Sequence, residues 1–238
     1  MTTRTVQLPT PDGPMDLYEA TPDGDTDRAV VVVQEAFGVN DHIQDVTRRF
    51  AAVGYLAVAP SLFHRSGGGT ASYDDFSKVL PLFEGLTDEG ILADVDAALG
   101  HVASAGIAPD RTAIVGFCMG GRVSFLVSLE RRLGAAVGFY GGGLVTARFP
   151  QFPALADRIP SLQTPWLGLF GDRDASIPVD DVEALRSALT SDSPVPTEVV
   201  RYPDAEHGFH CDVRPSYDEP AATDAWSRTL AWFDRHLS

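Results

Sequence analysis

Residues 113–125 read AIVGFCMGGRVSF. An apolar run ends at Gly116, a cysteine follows two positions later, and two more glycines precede a helical pattern. A strand turning sharply into a helix strains the residue at the turn, and small neighbours relieve the crowding. The spacing Gly-x-Cys-x-Gly is that of a nucleophile elbow with sulfur in place of oxygen. Such a turn lifts Cys118 to the top of a sheet, above a helix N-terminus. The helix dipole and free N–H groups there favour a thiolate and can receive a developing oxyanion. A buried structural cysteine is the competing reading of this position.

Working outward, strand and helix patterns alternate. AVVVVQ (29–34) is a continuous apolar run of the kind found in a strand covered on both faces. A helix is predicted over 41–53 with Asp41 as N-cap, then a strand at 55–59 and a polar, glycine-rich loop from Ser61 to Asp75. Helices are expected at 88–104 and 119–132, with strands at 112–117, 134–141 and 165–171. A helix at 179–190, a strand at 197–202 and a closing helix at 219–236 complete the series. This predicts an α/β fold, a mainly parallel sheet with helices on both faces. RTVQL and MDLYEA, flanking Asp12-Gly13, read as an antiparallel N-terminal edge hairpin. No internal repeat or linker interrupts the 238 residues, so one domain, 1–238, is expected.

The formal charge of −15 disfavours nucleic acid and anionic membrane surfaces as partners. No apolar run approaches the length of a membrane span. MTTRTVQLPTPDGP at the start has no apolar core of a signal peptide, which makes a cytoplasmic location the expectation. Two cysteines, Cys118 and Cys211, form neither a disulfide framework nor a zinc site.

In a parallel sheet, ligands bind beyond the carboxyl ends of the strands. The residues there include Glu35, Cys118, Tyr140, Asp172, Asp174 and His207. A nucleophile needs a base, and the base needs an orienting group. The chain order nucleophile, acid, histidine is met by Cys118, by Asp174 in LFGDRDASIP, and by His207 in RYPDAEHGFH. Asp172 competes for the acid and His210 for the base. His42, His64, His101 and His236 read as surface or packing residues.

Five stretches, QEAFGVN (34–40), GFCMGG (116–121), GFYGGG (138–143), LFGDRD (169–174) and AEHGFH (205–210), resemble the dienelactone hydrolase family over nearly the whole chain. The resemblance implies an α/β-hydrolase fold and a Cys118–Asp174–His207 triad, with no metal or cofactor. It implies that Glu35 contacts the thiol and takes part in its activation when substrate binds. A carboxylate beside a thiol disfavours a second negative charge, so it would hold the resting group thiol-like. The N–H groups of Ala36 and Met119 would form the oxyanion hole, and Phe37 and Tyr140 would line the pocket.

One departure concerns substrate. In the best-known members two arginines hold the carboxylate of the dienelactone, one of them four residues after the histidine. That position is Cys211 here; Arg214 is the nearest substitute. For the second arginine, the region 65–80 offers Arg65 and Lys78 without a clear match. The expected activity is hydrolysis of a small lactone or activated ester. The alternative is a general carboxylesterase or thioesterase with the same triad, and a more remote one is a redox or ligand-binding protein using Cys118. A monomer or small homo-oligomer is expected.

Overall fold

The computed structural model describes residues 1–238 apart from the side chain of Phe76. Eight strands form one sheet: β1 (Thr2–Thr10), β2 (Gly13–Thr21), β3 (Ala29–Val33), β4 (Leu56–Pro60), β5 (Thr112–Phe117), β6 (Ala135–Phe139), β7 (Trp166–Gly171) and β8 (Thr197–Tyr202). Their order is β1-β2-β4-β3-β5-β6-β7-β8. β1 and β2 form the antiparallel hairpin and join the sheet antiparallel to β4, while β3 through β8 run parallel. Every residue of β3, β4, β5, β6 and β7 is buried. That explains why these strands read as unbroken apolar runs: helices cover both faces.

The helices are α1 (Asp41–Ala52), α2 (Leu80–Phe83), α3 (Asp88–Ser104), α4 (Met119–Glu130), α5 (Val179–Asp192) and α6 (Glu219–His236). α1 and α6 pack together through Phe50, which meets Trp226 at 4.5 Å and Phe233 at 5.9 Å between ring centroids. α3 and α4 pack on each other and on β3, and α4 also covers β5 and β6. The N-cap of α1 is Asn40, not Asp41: the Asn40 side chain accepts from the Ile43 amide at 3.1 Å. An N-cap must lie outside the helix with extended backbone, and Asn40 does, leaving Asp41 as the favourable acidic residue of the first turn. α4 stops at Glu130, two residues before the expected end. The loop after β4 opens with a 3₁₀ turn, Leu62–Ser66, that buries Leu62 and Phe63. The resulting sheet places the ends of β3, β5, β6, β7 and β8 along one edge.

Candidate active site

The elbow is built by close backbone approach. Cys118 follows β5 with φ 55° and ψ −114°, a conformation that strains a side chain-bearing residue. A Cβ on Gly116 would stand 1.8 Å from the Gly120 carbonyl oxygen. One on Gly120 would stand 2.4 Å from the Val33 carbonyl oxygen. Glycine is therefore required on both sides of the turn. Cys118 is partly exposed and lines a cleft of about 520 Å³. Met119 is the first residue of α4, so its amide has no partner within the helix. Ala36, beyond β3, lines the same cleft.

His207, in the loop after β8, also lines the cleft, and its Nδ1 stands 2.6 Å from Asp174 Oδ2. Asp174, beyond β7, is buried. Its other oxygen, Oδ1, accepts from the Ser176 hydroxyl at 2.6 Å and the Ser176 amide at 2.8 Å. Burial alone would raise the Asp174 pKa, but the hydrogen bonds from His207 and Ser176 outweigh it and hold the carboxyl below its ordinary value. Burial likewise opposes the His207 imidazolium, but Cys118 and Asp174 together raise its pKa to about 10. The two rivals are engaged elsewhere. Asp172 makes a two-pronged pair with Arg201 at 2.6 and 2.7 Å. His210 is buried against Phe117, Phe139 and Trp226, and burial, reinforced by His42, pushes its pKa down to about 3. A group so held is neutral and encased, not a base facing substrate.

Glu35 is fully buried just past β3. Tyr73 donates to its Oε2 at 2.8 Å and Tyr140 to its Oε1 at 3.3 Å, while Arg214 Nη1 lies 3.8 Å from Oε1. None of the hydrogen bonds of Glu35 among the described residues goes to Cys118. A buried carboxylate is costly unless its lone pairs are satisfied, and the two phenols satisfy them. Phe37 and Tyr140 are buried and lie behind the cleft lining: Phe37 packs on Tyr73 at 4.5 Å, and Tyr140 sets its ring edgewise to His207 at 5.0 Å. Arg214 does line the cleft, its guanidinium 5.3 Å from the Tyr73 ring centre. Arg65 is instead tied to Asp94, Asp12 and the Gly90 carbonyl, and Lys78 to Asp75; neither lines the cleft. Cys211 is a buried free thiol whose sulfur donates to the Tyr73 hydroxyl at 3.5 Å; burial, with Glu35, raises its pKa to about 11.

Two polar residues that bond the candidate catalytic groups escaped the sequence reading. Ser176 lies two residues past Asp174, the short spacing at which a Ser can bond an Asp side chain, so a local signal existed. Tyr73 sits in a glycine-rich loop with no periodicity, and nothing in the sequence aims it at Glu35.

A profile of the "Dienelactone hydrolase family" matches residues 15–237. A Salmonella typhimurium protein named "Putative carboxymethylenebutenolidase" is 41% identical over 214 residues, spanning 87% of this chain and 77% of that protein. A Yersinia pestis protein of the same name is 39% identical over 238 residues, covering 96% and 86%. A crystal structure from Klebsiella pneumoniae, described as a "Putative Dienelactone Hydrolase", superposes with a TM-score of 0.88 at 40% identity and 98% coverage of both chains.

Proposed function

The chain belongs to the dienelactone hydrolase family, whose members are carboxylic ester hydrolases, and from that premise we propose that it cleaves a small lactone or activated ester by acyl transfer to Cys118. The observation that carries this reading is the meeting of a strained Cys118 with the hydrogen-bonded Asp174–His207 pair in one cleft.

The Cys118 thiolate attacks the carbonyl carbon, forming a C–S bond and placing negative charge on the carbonyl oxygen. The amides of Met119 and Ala36 receive that oxyanion. Collapse breaks the C–O bond, and the leaving oxygen takes the proton of the His207 imidazolium. Water then attacks the thioester, His207 accepts its proton, and the thiolate departs with the acid as product. Asp174, fixed by Ser176, keeps the imidazole oriented and favours its cationic form. Thiolate leaves a tetrahedral intermediate easily, so a poor alcohol leaving group sends the intermediate back to substrate. That favours enol lactones and activated esters over plain alkyl esters.

Arg214 is the cation we assign to a substrate carboxylate: of the four arginines that line the cleft, Arg122 is committed to Asp88 and Arg173 to Asp204, and Arg214, unlike Arg148, comes from the segment that carries His207. Cys211 in the family's arginine position supports a second reading, a carboxylesterase or thioesterase for neutral substrates. A redox role is disfavoured: the raised pKa of Cys211 leaves it a poor attacking thiolate at neutral pH. Steady-state hydrolysis of a dienelactone and of p-nitrophenyl acetate, by the wild type and Cys118→Ala, tests the proposal. Both activities are expected to vanish in the variant, and retained activity would contradict it. Preference for the dienelactone that is lost in Arg214→Ala assigns the carboxylate to Arg214; turnover of the simple ester alone supports the second reading.

A further inference from the structure

One wall of the cleft is aromatic. It is built from Phe83 at the end of α2 and from Phe149 and Phe152 in the segment between β6 and β7. The three ring centroids are 5.5 Å (Phe83–Phe149), 6.3 Å (Phe83–Phe152) and 6.3 Å (Phe149–Phe152) apart. Phe63 backs Phe83 at 6.0 Å. The Arg122 guanidinium sits 5.0 Å from the centre of Phe152, held by Asp88 at 2.6 and 3.0 Å and by the Pro153 carbonyl at 2.7 Å. The Phe152 amide donates to the Phe149 carbonyl at 3.0 Å, closing a tight turn that presents both rings. Phe83 and Phe152 are buried, and Phe149 is partly exposed.

No step of the acyl transfer uses these rings, yet they line the same cleft as Cys118 and His207. A volume of about 520 Å³ suits a ligand of drug-like size and is far more than a small lactone ring fills. Phe149 is tilted 44° to Phe83 and 86° to Phe152, so the wall offers both ring faces and ring edges. That mixture favours a flat aromatic guest, which gains from edge-to-face and offset contacts, over a flexible alkyl chain that loses rotational freedom.

We propose that the substrate carries an aromatic arm, on its acyl or its alcohol side, that packs on the Phe83–Phe149–Phe152 wall. The inference rests on the ester-hydrolase reading of Cys118 and names the substrate class of that site. Phe149 is then a specificity-determining residue.

The test compares kcat/KM for the S-ethyl thioesters of acetic, octanoic and phenylacetic acid, and for the S-benzyl thioester of acetic acid. The wild type is expected to prefer at least one aryl substrate over both alkyl ones by about tenfold or more, and Phe149→Ala to lose that preference, its aryl-to-acetyl ratio of kcat/KM falling to about one. Melting of Phe149→Ala at the wild-type temperature certifies its fold. Equal rates on octanoyl and aryl substrates, or an aryl preference that survives in Phe149→Ala, would overturn the proposal. The reading of Cys118 fails separately, by hydrolysis of all four thioesters in Cys118→Ala. A Cys118→Ala protein that binds the uncleaved phenylacetyl thioester more tightly than the acetyl one, by calorimetry, supports the aromatic arm independently of turnover.

Discussion

The Tyr73 hydroxyl donates to Glu35 Oε2 at 2.8 Å, and the same hydroxyl accepts from the buried Cys211 thiol. Tyr73 thus links the carboxylate beyond β3 to Cys211, four residues past His207. Tyr73→Phe leaves Glu35 with the longer bond from Tyr140 and the more distant Arg214. A hydrogen bond to a buried charge contributes roughly 1.5–3 kcal/mol. Tyr73→Phe is expected to lose about that much unfolding free energy in denaturant titration, and Tyr140→Phe should lose less. Wild-type stability in Tyr73→Phe would show that Tyr73 does not hold Glu35.

The two aspartates after β7 separate cleanly. Asp174→Asn removes the acceptor at 2.6 Å from His207 and is expected to lower kcat by about a thousandfold or more. Asp172→Asn disturbs a partly buried pair with Arg201, which keeps its second partner Glu183; this costs about 1 kcal/mol of stability and leaves kcat within about twofold. Side-by-side kinetics and denaturant titration decide between them; the reverse ranking would transfer the acid's role to Asp172.

The raised His207 pKa has a signed consequence. Burial opposes the imidazolium, and Cys118 and Asp174 more than compensate, moving the pKa from 6.5 to about 10. The stabilisation this brings is fully present below about pH 6.5 and is lost as pH rises through about 10. The alkaline limb of kcat/KM is therefore expected near pH 10, and Asp174→Asn should move it to lower pH. A limb near pH 7 in the wild type would show that Cys118 and Asp174 do not hold the imidazolium.

Gly120 faces the Val33 and Gln34 carbonyl oxygens, at 2.4 and 2.7 Å from an added Cβ. Both are backbone atoms and cannot step aside, so Gly120→Ala is expected to cost about 1–3 kcal/mol and to shift the elbow enough to abolish activity. Gly100, in α3, has no atom within 4 Å of its Cβ position. Gly100→Ala should instead stabilise by roughly 0.5–1 kcal/mol. Denaturant midpoints of the two variants check the contrast.

Much of this molecule was legible because its signals are local or periodic. β5, β8, α3 and α6 begin and end where their patterns do, since apolar runs and helical stripes report burial directly. The elbow was readable because backbone crowding demands glycine at 116 and 120. Asp174 and His207 were found by chain order and strand-end placement, and their 2.6 Å bond follows from the sheet bringing β7 and β8 side by side. What stayed hidden depends on long-range packing. Tyr73 reaches Glu35 across 38 positions. The aromatic wall joins Phe83 to Phe149 across segments that carry no strand or helix repeat. Asn40 and Asp41 are equally suited as caps by residue type, and only backbone conformation separates them.

The central claim is that Cys118 carries the acyl group. The direct measurement is mass spectrometry of peptides from protein mixed with p-nitrophenyl acetate and acid-quenched before steady state. An acetyl group on the peptide containing Cys118, absent in Cys118→Ala, is the predicted result. Acetyl on another residue during turnover, with Cys118 unmodified, would contradict the account.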